Sequence, residues 1–149
     1  MKKILPKKEP RIPFTREGYQ KLLDDRAKFL AARPEAVHHL AEARGMGDLS
    51  ENGYYKASRQ QLSFLDSRIR RVERLIRLAT IIEPTRVKLS DGVHEFEYEI
   101  VGGYESNPAT HAISPQSPLG RAIAGKKVND IVEVHAPSGT KKYTILSIT

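Results

Sequence analysis

Two carboxylates close together in the middle of the chain are the residues best placed to do chemistry. Asp48 and Glu51 stand three positions apart in the run Gly47-Asp48-Leu49-Ser50-Glu51-Asn52, which separates two long helical patterns. Carboxylate oxygens are ligands for Mg²⁺, which binds one or two carboxylates together with water and phosphate oxygens. Two carboxylates are too few to hold Mg²⁺ alone, so a metal site here would be completed by a partner.

The same spacing also has a purely structural interpretation. In a capping box, Asp48 would cap the second helix and Glu51, three residues on, would complete the box. Gly45 and Gly47 would supply the permissive backbone of the turn. On spacing alone the capping interpretation is the favoured one, and the metal-binding interpretation stays open beside it.

The sequence on either side of this run predicts a helical hairpin. From Thr15, an expected N-cap, seam residues recur at alternating spacings of four and three, and Pro34 should kink this first arm. The first seam consists of Tyr19, Leu23, Arg26, Leu30, Arg33, Val37 and Leu40. The second seam consists of Tyr55, Ser58, Leu62, Leu65, Ile69, Val72, Ile76 and Ala79. Two such arms, each about 43 Å long, predict an antiparallel coiled coil.

After Pro84 the periodicity changes to that of strands. Phe96, Tyr98 and Ile100 alternate with glutamates, which predicts a half-buried strand. Further strands are predicted at 130–134 and 143–148, with a turn between them, and a short helix is predicted from Ser117 to Gly125. The chain is therefore predicted to be an α+β protein with three parts: a basic flexible tail over 1–14, the coiled-coil hairpin over 15–82 with its acidic tip at 45–52, and a C-terminal domain with an antiparallel sheet over 83–149.

Composition and charge narrow the classes of partner. The net charge is +7, and residues 53–82 hold seven Lys and Arg against two Asp and Glu, which favours an anionic partner such as nucleic acid. The absence of cysteine excludes disulfides and thiolate metal sites, and the five histidines have no ligand spacing. No window approaches the roughly 18 apolar residues of a membrane helix, so we expect a cytoplasmic protein with no membrane partner.

The run Leu40 to Asn52, followed by Tyr55, resembles the coiled-coil tip of the bacterial Gre transcript-cleavage factors, GreA and GreB. Leu49 at the tip is more like GreA. The resemblance covers nearly the whole chain after the tail, and its other segments are 15–19, 33–35, 100–102, 114–122 and 125–126.

This resemblance implies that the C-terminal domain has an FKBP-like fold and binds RNA polymerase, while the hairpin enters the polymerase's secondary channel. Asp48 and Glu51 would help to hold the second catalytic Mg²⁺ and orient a water against backtracked RNA, so that the polymerase itself cleaves the RNA. The chain is then no enzyme. It would have no tightly bound cofactor and would act as a monomer on RNA polymerase and the nascent RNA 3′ end, within the nucleic acid of the elongation complex.

The resemblance also implies binding residues along the chain. Arg44 and Arg59 correspond to basic positions behind the tip, where arginine can neutralise RNA phosphates without reading sequence. Without the family, each would be interpreted as a solvated surface cation. Gln116, Ser117 and Pro118 match the segment that faces the polymerase, and Ser117 is at the same time the expected helix cap.

Three departures from the family pattern carry structural expectations. Gly53 and Tyr54 replace the usual Ala and acid, so the first turn of the second helix should be less stable and lacks one charge. Gln116 replaces an acid or Asn. The segment 85–90 is shorter than the corresponding family strand, so this strand is expected to be lost or truncated.

Three alternative functions remain beside transcript cleavage. A non-cleaving regulator of the secondary channel is disfavoured because both tip acids are present. A free-standing metal nuclease is disfavoured by the small ligand set. A prolyl isomerase of the FKBP type is disfavoured because no aromatic-lined pocket is evident in a chain with four Phe and no Trp.

Overall fold

A computed structural model of the protein describes residues 10–149, and residues 1–9 of the predicted tail lie outside this range. The described residues divide into two compact units. One unit is Gln20–Leu78, and the other combines residues 10–19 with Ala79–Thr149. The sequence had assigned 15–82 to the hairpin, whereas the structure groups 15–19 and 79–82 with the sheet.

The helical unit is an antiparallel hairpin, as predicted. Helix α1 runs Arg16–Arg44 without interruption at Pro34, and helix α2 runs Gly53–Leu78. Two ion pairs show the register of the hairpin, since Arg26 Nε lies 3.3 Å from Glu73 and Arg33 Nε lies 2.8 Å from Asp66. Seven residues forward on α1 thus correspond to seven residues back on α2.

The buried row of α1 differs from the predicted seam. Ala36 and Ala43 are buried, and the half-buried Phe29 precedes them at the same seven-residue spacing. The predicted seam residues Leu30 and Val37 are instead 40% and 41% exposed. The buried row is therefore shifted by one residue, about 100° around the helix. Small alanine side chains let the two helices approach closely, which a count of large apolar residues does not detect.

The buried row of α2 follows the prediction. Ser58, Ile69 and Val72 lie on the predicted seam and are buried, and Leu75 and Leu78 extend the buried face. Here large apolar residues themselves recur at spacings of three and four, so the pattern identifies the face correctly. Ala79, predicted as the last seam residue, is the first residue of a strand instead.

The prediction of a flexible tail is wrong for its last residues. Strand β1, Ile12–Phe14, pairs in parallel with strand β2, Ala79–Ile81. Phe14 is 2% exposed, and its ring stacks on Tyr104 with 5.8 Å between centroids. Burial of this aromatic ring fixes a segment that its prolines and positive charge had suggested was mobile.

Five further strands form a mixed sheet in the order β5-β4-β3-β7-β6. The strands are β3 Thr85–Ser90, β4 Glu95–Ile100, β5 Ala112–Ile113, β6 Ile131–Ala136 and β7 Gly139–Ile148. The pairs β3–β4, β3–β7 and β6–β7 are antiparallel, as predicted. The edge pair β4–β5 is parallel, so the sheet is not purely antiparallel.

Strand β3 is neither lost nor truncated, contrary to the expectation for 85–90. It is the central strand of the sheet and pairs along its whole length with β4. Val87 and Leu89 are fully buried and form a core with Ile123, Val132 and Ile145. Six residues are enough for a central strand because its alternate side chains fill this core.

The last helix, α3, is Pro118–Ile123, and Gly125 follows it at φ +73°, which confirms the predicted opening and closing residues. The turn 137–138 joins β6 to β7, also as predicted. Within residues 10–149, no helix has the length and apolar character needed to cross a membrane.

A hydrogen-bonded clamp holds the beginning of α1. Thr15 Oγ1 accepts from Gly18 N at 3.0 Å, which confirms the predicted cap. Thr15 N donates to Glu105 Oε2 at 2.8 Å, and Thr15 Oγ1 donates to the other carboxylate oxygen. Gly102 lies under this clamp, where an added Cβ would come within 2.1 Å of the Pro13 carbonyl oxygen. Only glycine fits at that position.

Candidate functional site

The turn between the two helices begins where α1 ends. Gly45 N donates to Glu42 O at 3.0 Å and Met46 N donates to Ala43 O at 3.3 Å, which closes the last turn of α1. Gly47 follows at φ +115°, a conformation that favours glycine. The chain therefore reverses direction at Gly47 and presents the next residues to solvent.

Asp48 organises the turn itself and does not cap α2. Its Oδ1 accepts hydrogen bonds from Ser50 N at 3.0 Å and from Ser50 Oγ at 2.9 Å, a local turn typical of Asp. The backbone and then the hydroxyl of Ser50 hold the pKa of Asp48 below its ordinary value. Because the folded pKa is lowered, the carboxylate stays ionised down to a more acidic pH than usual. The predicted cap on α2 is wrong for this residue.

The residue that caps α2 is Asn52, which was not among the residues predicted from the sequence. Asn52 Oδ1 accepts from Tyr55 N at 3.0 Å, and Asn52 Nδ2 donates to Ala43 O at 2.8 Å. One amide side chain thus joins the first turn of α2 to the last turn of α1. The available signal was an Asn directly before the first helical residue, because Asn is among the preferred N-cap residues.

Glu51 completes no capping box. Its side chain is exposed and makes no hydrogen bond or ion pair with any residue in 10–149. Since Asn52 performs the capping, the carboxylate of Glu51 and one oxygen of Asp48 keep their acceptor capacity. Two exposed carboxylates in one turn fit partial coordination of a hard cation, with the remaining ligands supplied from outside the chain. No cluster of three or more His, Cys, Asp or Glu with that geometry occurs among the described residues.

Arg44 and Arg59 are brought together in one groove beside the turn. The groove has a volume of about 300 Å³, and its lining residues are Leu40, Arg44, Tyr55, Arg59, Leu62, Ser63, Asp66 and Arg70. Asp66 is already engaged by Arg33. Neither Arg44 nor Arg59 forms an ion pair within the described part of the chain. The groove thus combines uncompensated guanidinium groups with an aromatic ring, a set of residues that suits a single nucleic-acid strand.

The segment 116–118 lies at the start of α3, in the other unit. Ser117 Oγ accepts from Gly120 N at 3.0 Å and donates to Ser114 O at 2.7 Å, which confirms Ser117 as the helix cap. Gln116 is exposed, and its backbone N donates to Ser114 Oγ at 3.1 Å. The hydroxyl of Ser117 is therefore committed internally, whereas the side chains of Gln116 and Pro118 face solvent.

Replacing Ser117 with alanine is expected to lower the free energy of unfolding by about 1 kcal/mol, the usual cost of a lost helix cap. Chemical denaturation of the purified protein measures this change. Ser117→Thr is the matched control, because it keeps a hydroxyl at the cap and should lose less. Equal stability of Ser117→Ala and the unaltered protein would contradict the role of the cap.

The described residues thus combine an exposed acidic turn on a helical hairpin with an arginine groove behind the turn. A protein of this class presents carboxylates from a helical support, and the rest of its chain is a mixed-sheet unit. Two family models match it: "Transcription elongation factor, N-terminal" over residues 12–81 and "Transcription elongation factor, GreA/GreB, C-term" over residues 80–149. The chain belongs to the GreA/GreB family of transcription elongation factors.

Two relatives named as GreA agree with this assignment. The chain is 38% identical over 151 residues to transcription elongation factor GreA of Paracoccus denitrificans, covering 93% of this chain and 97% of the relative. It is 35% identical over 154 residues to GreA of Lactococcus lactis subsp. cremoris, covering 94% and 99%. Among solved structures, GreA factor homolog 1 (Gfh1) of Thermus thermophilus is 23% identical with a TM-score of 0.45, covering 93% and 99%.

Proposed function

We propose that this elongation factor binds RNA polymerase, places its hairpin turn in the secondary channel and stimulates the polymerase's own cleavage of backtracked RNA. Arrested complexes would thereby resume transcription, in the cytoplasm. The observation that carries the proposal is the exposed turn, in which neither Asp48 nor Glu51 is used to cap α2. Because neither acid caps α2, the Glu51 carboxylate and the second oxygen of Asp48 are available for chemistry with a partner.

The acids of the turn would act on a Mg²⁺ shared with the polymerase active site. Bound there, the ion would activate the attacking water or stabilise the leaving oxygen of a phosphodiester. Asp48 contributes a carboxylate whose pKa the hydrogen bonds from Ser50 hold below its ordinary value, and Glu51 contributes a second carboxylate with no competing contact among residues 10–149. Because two carboxylates are too few to bind Mg²⁺ by themselves, the activity requires the polymerase, and the chain is an activator and no nuclease.

The arginine groove would guide the extruded RNA 3′ segment. Arg44 and Arg59 line the same groove just behind the turn, so a strand that reaches the acids passes their guanidinium groups. Contacts between arginine and phosphate are independent of sequence, which suits a factor that acts wherever the polymerase stalls.

The polymerase contact in the sheet unit would lie at the start of α3. Ser117 uses its hydroxyl inside the protein, so it shapes the segment, while Gln116 and Pro118 offer the exposed contact surface. Gln116 brings hydrogen-bonding capacity without charge, which fits a polar partner surface of either sign.

Stalled elongation complexes test the proposal directly. Purified protein and Mg²⁺ are added to complexes that carry end-labelled RNA, and in parallel to the same RNA without polymerase. We expect the RNA to shorten only in the complexes. Shortening of the naked RNA would contradict the proposal, because it would make the chain itself a nuclease.

The second candidate is a regulator that occupies the secondary channel without promoting cleavage. Such a protein would slow RNA extension in the same assay and leave the RNA length unchanged. The two exposed acids of the turn favour cleavage over this alternative, because a protein that only blocks the channel has no need of a cation-binding tip.

A further inference from the structure

The hairpin carries a second groove, on the other side of the buried row of α1 from Arg26 and Arg33. This alanine groove has a volume of about 640 Å³ and is walled by Ala32 and Ala36 from α1 and by Ala57 from α2. By helical period, Ala32 lies on one side of Ala36 and Arg33 on the other. The ion pairs of Arg26 and Arg33 therefore lie on one side of the buried row, and the alanine groove lies on the other side.

Phe64 projects at the edge of the alanine groove. It is 60% exposed, and it also lines a second hollow of about 310 Å³ on its other side, together with Lys56, Arg59, Gln60 and Ser63. An exposed phenylalanine beside an alanine-walled hollow provides a knob and a hole on one surface. Knobs of this kind pack into holes between helices in coiled-coil assemblies.

The rim of the alanine groove carries one acid and one base. Glu35 stands on α1 with its side chain 76% exposed, and His39 Nε2 lies 4.0 Å from its Oε1. Arg68 stands on α2 with its guanidinium over the Phe29 ring, 5.8 Å from the centroid. In the hairpin register, Glu35 on α1 lies at the level of Phe64 on α2. Arg68 lies one helical turn from Phe64 on α2, so a long side chain can span the distance between them.

We propose that two copies of this chain associate through their alanine grooves, with Phe64 of each copy entering the groove of the other and Glu35 of each lying against Arg68 of the other. A two-fold interface brings the same patch of both subunits together and therefore requires a self-complementary surface. The patch meets this requirement with a knob and a hole, and with an acid and a base. Its small extent makes the dimer weak and dependent on concentration.

The inference concerns the free protein and does not rest on the proposed function. It differs from the monomer expected from the sequence, where two arms that satisfy one another left no reason to associate. That expectation placed the seam one residue away on α1 and so did not include the alanine-walled face.

Sedimentation velocity of the full chain, from low micromolar to near-millimolar concentration, tests the dimer. We expect the weight-average mass to rise towards that of a dimer. Phe64→Ser should raise the dissociation constant by about tenfold or more, as for a central anchor of an interface. Val37→Ser is the control, because Val37 is an apolar residue of the hairpin that is 41% exposed and lies outside the alanine groove, so its loss should leave the constant unchanged.

Exchanging the two rim charges gives a second test that does not depend on apolar burial. Glu35→Arg and Arg68→Glu are each expected to weaken the dimer, and the double variant should restore it. A monomer at every concentration would overturn the proposal, as would a dimer that is insensitive to Phe64→Ser. If the chain stays monomeric and Phe64→Ser instead weakens binding to polymerase, the groove is a polymerase contact and the dimer is excluded.

Discussion

Asp48→Ala and Glu51→Ala are each expected to abolish RNA shortening in stalled elongation complexes while binding to the polymerase persists. The rate should fall by at least about 10- to 100-fold, since losing even an outer partner of a metal ligand commonly costs that much. The hairpin should stay folded, because Asn52 and not either acid caps α2. The measurement is the initial rate of RNA shortening, together with the amount of protein bound to immobilised complexes.

Two kinds of control sharpen this test. Asp48→Asn and Glu51→Gln remove the charge with almost no change of shape, and Asp48→Asn keeps an oxygen that can accept from Ser50. Both should be as inactive as the alanine variants if the charge is what matters. Asp25→Asn removes an exposed acid from α1, far from the turn along the hairpin, and should retain full activity. Full activity in a variant that lacks either tip charge would contradict the proposed role of the turn.

Asn52→Ala is expected to combine a loss of stability with a loss of cleavage. The free energy of unfolding should fall by about 1–2 kcal/mol, because the variant loses the helix cap and also the bond to the Ala43 carbonyl. The acids then remain in the chain but are held in a looser turn, so the rate of RNA shortening should fall with them. Urea denaturation and the cleavage assay measure the two effects.

Asn52→Asp separates the two bonds. An aspartate can still accept from Tyr55 N and cap α2, but it has no N–H to donate to Ala43 O. We expect a stability between those of the unaltered protein and Asn52→Ala, because one of the two hydrogen bonds remains. If Asn52→Asp is as stable as the unaltered protein, the bond to Ala43 O contributes nothing to stability.

The sequence correctly predicts the elements whose buried face consists of large apolar residues at a regular spacing. The period of three and four in α2 identified Ile69 and Val72, and the alternation around Tyr98 identified β4. It failed in α1 because Ala36 and Ala43 are buried for being small, which a search for large apolar residues passes over.

Long-range contacts explain the other differences. Phe14 is fixed by stacking on Tyr104, ninety residues away, so nothing local to the predicted tail could reveal a strand there. The segment 85–90 is stabilised by neighbours on both sides, which compensate for its short length. At the tip, the spacing of Asp48 and Glu51 matches a capping box. Asn52, which directly precedes the first residue of α2, nevertheless makes the capping hydrogen bond.

Composition alone does not predict that Arg44 and Arg59 lie in one groove. Fifteen positions separate them along the chain, and the antiparallel register of the two helices, which the ion pairs of Arg33 and Arg26 show, brings both into one groove. The family resemblance predicts both residues as RNA-binding. Their place in one groove is the physical reason that they can contact the same RNA strand.

Because a neutral amide caps α2, the cap and the charges at the tip belong to different side chains. Asn52 caps α2 and Gly47 reverses the chain, while Glu51 makes no side-chain contact within residues 10–149 and Asp48 bonds only to Ser50 within the turn. The ionic character of this tip can therefore change by substitution without redesigning its support. The same hairpin can therefore carry tips of different chemistry. Substitutions that change one charge at a time can adapt such a tip to the active site of a new partner.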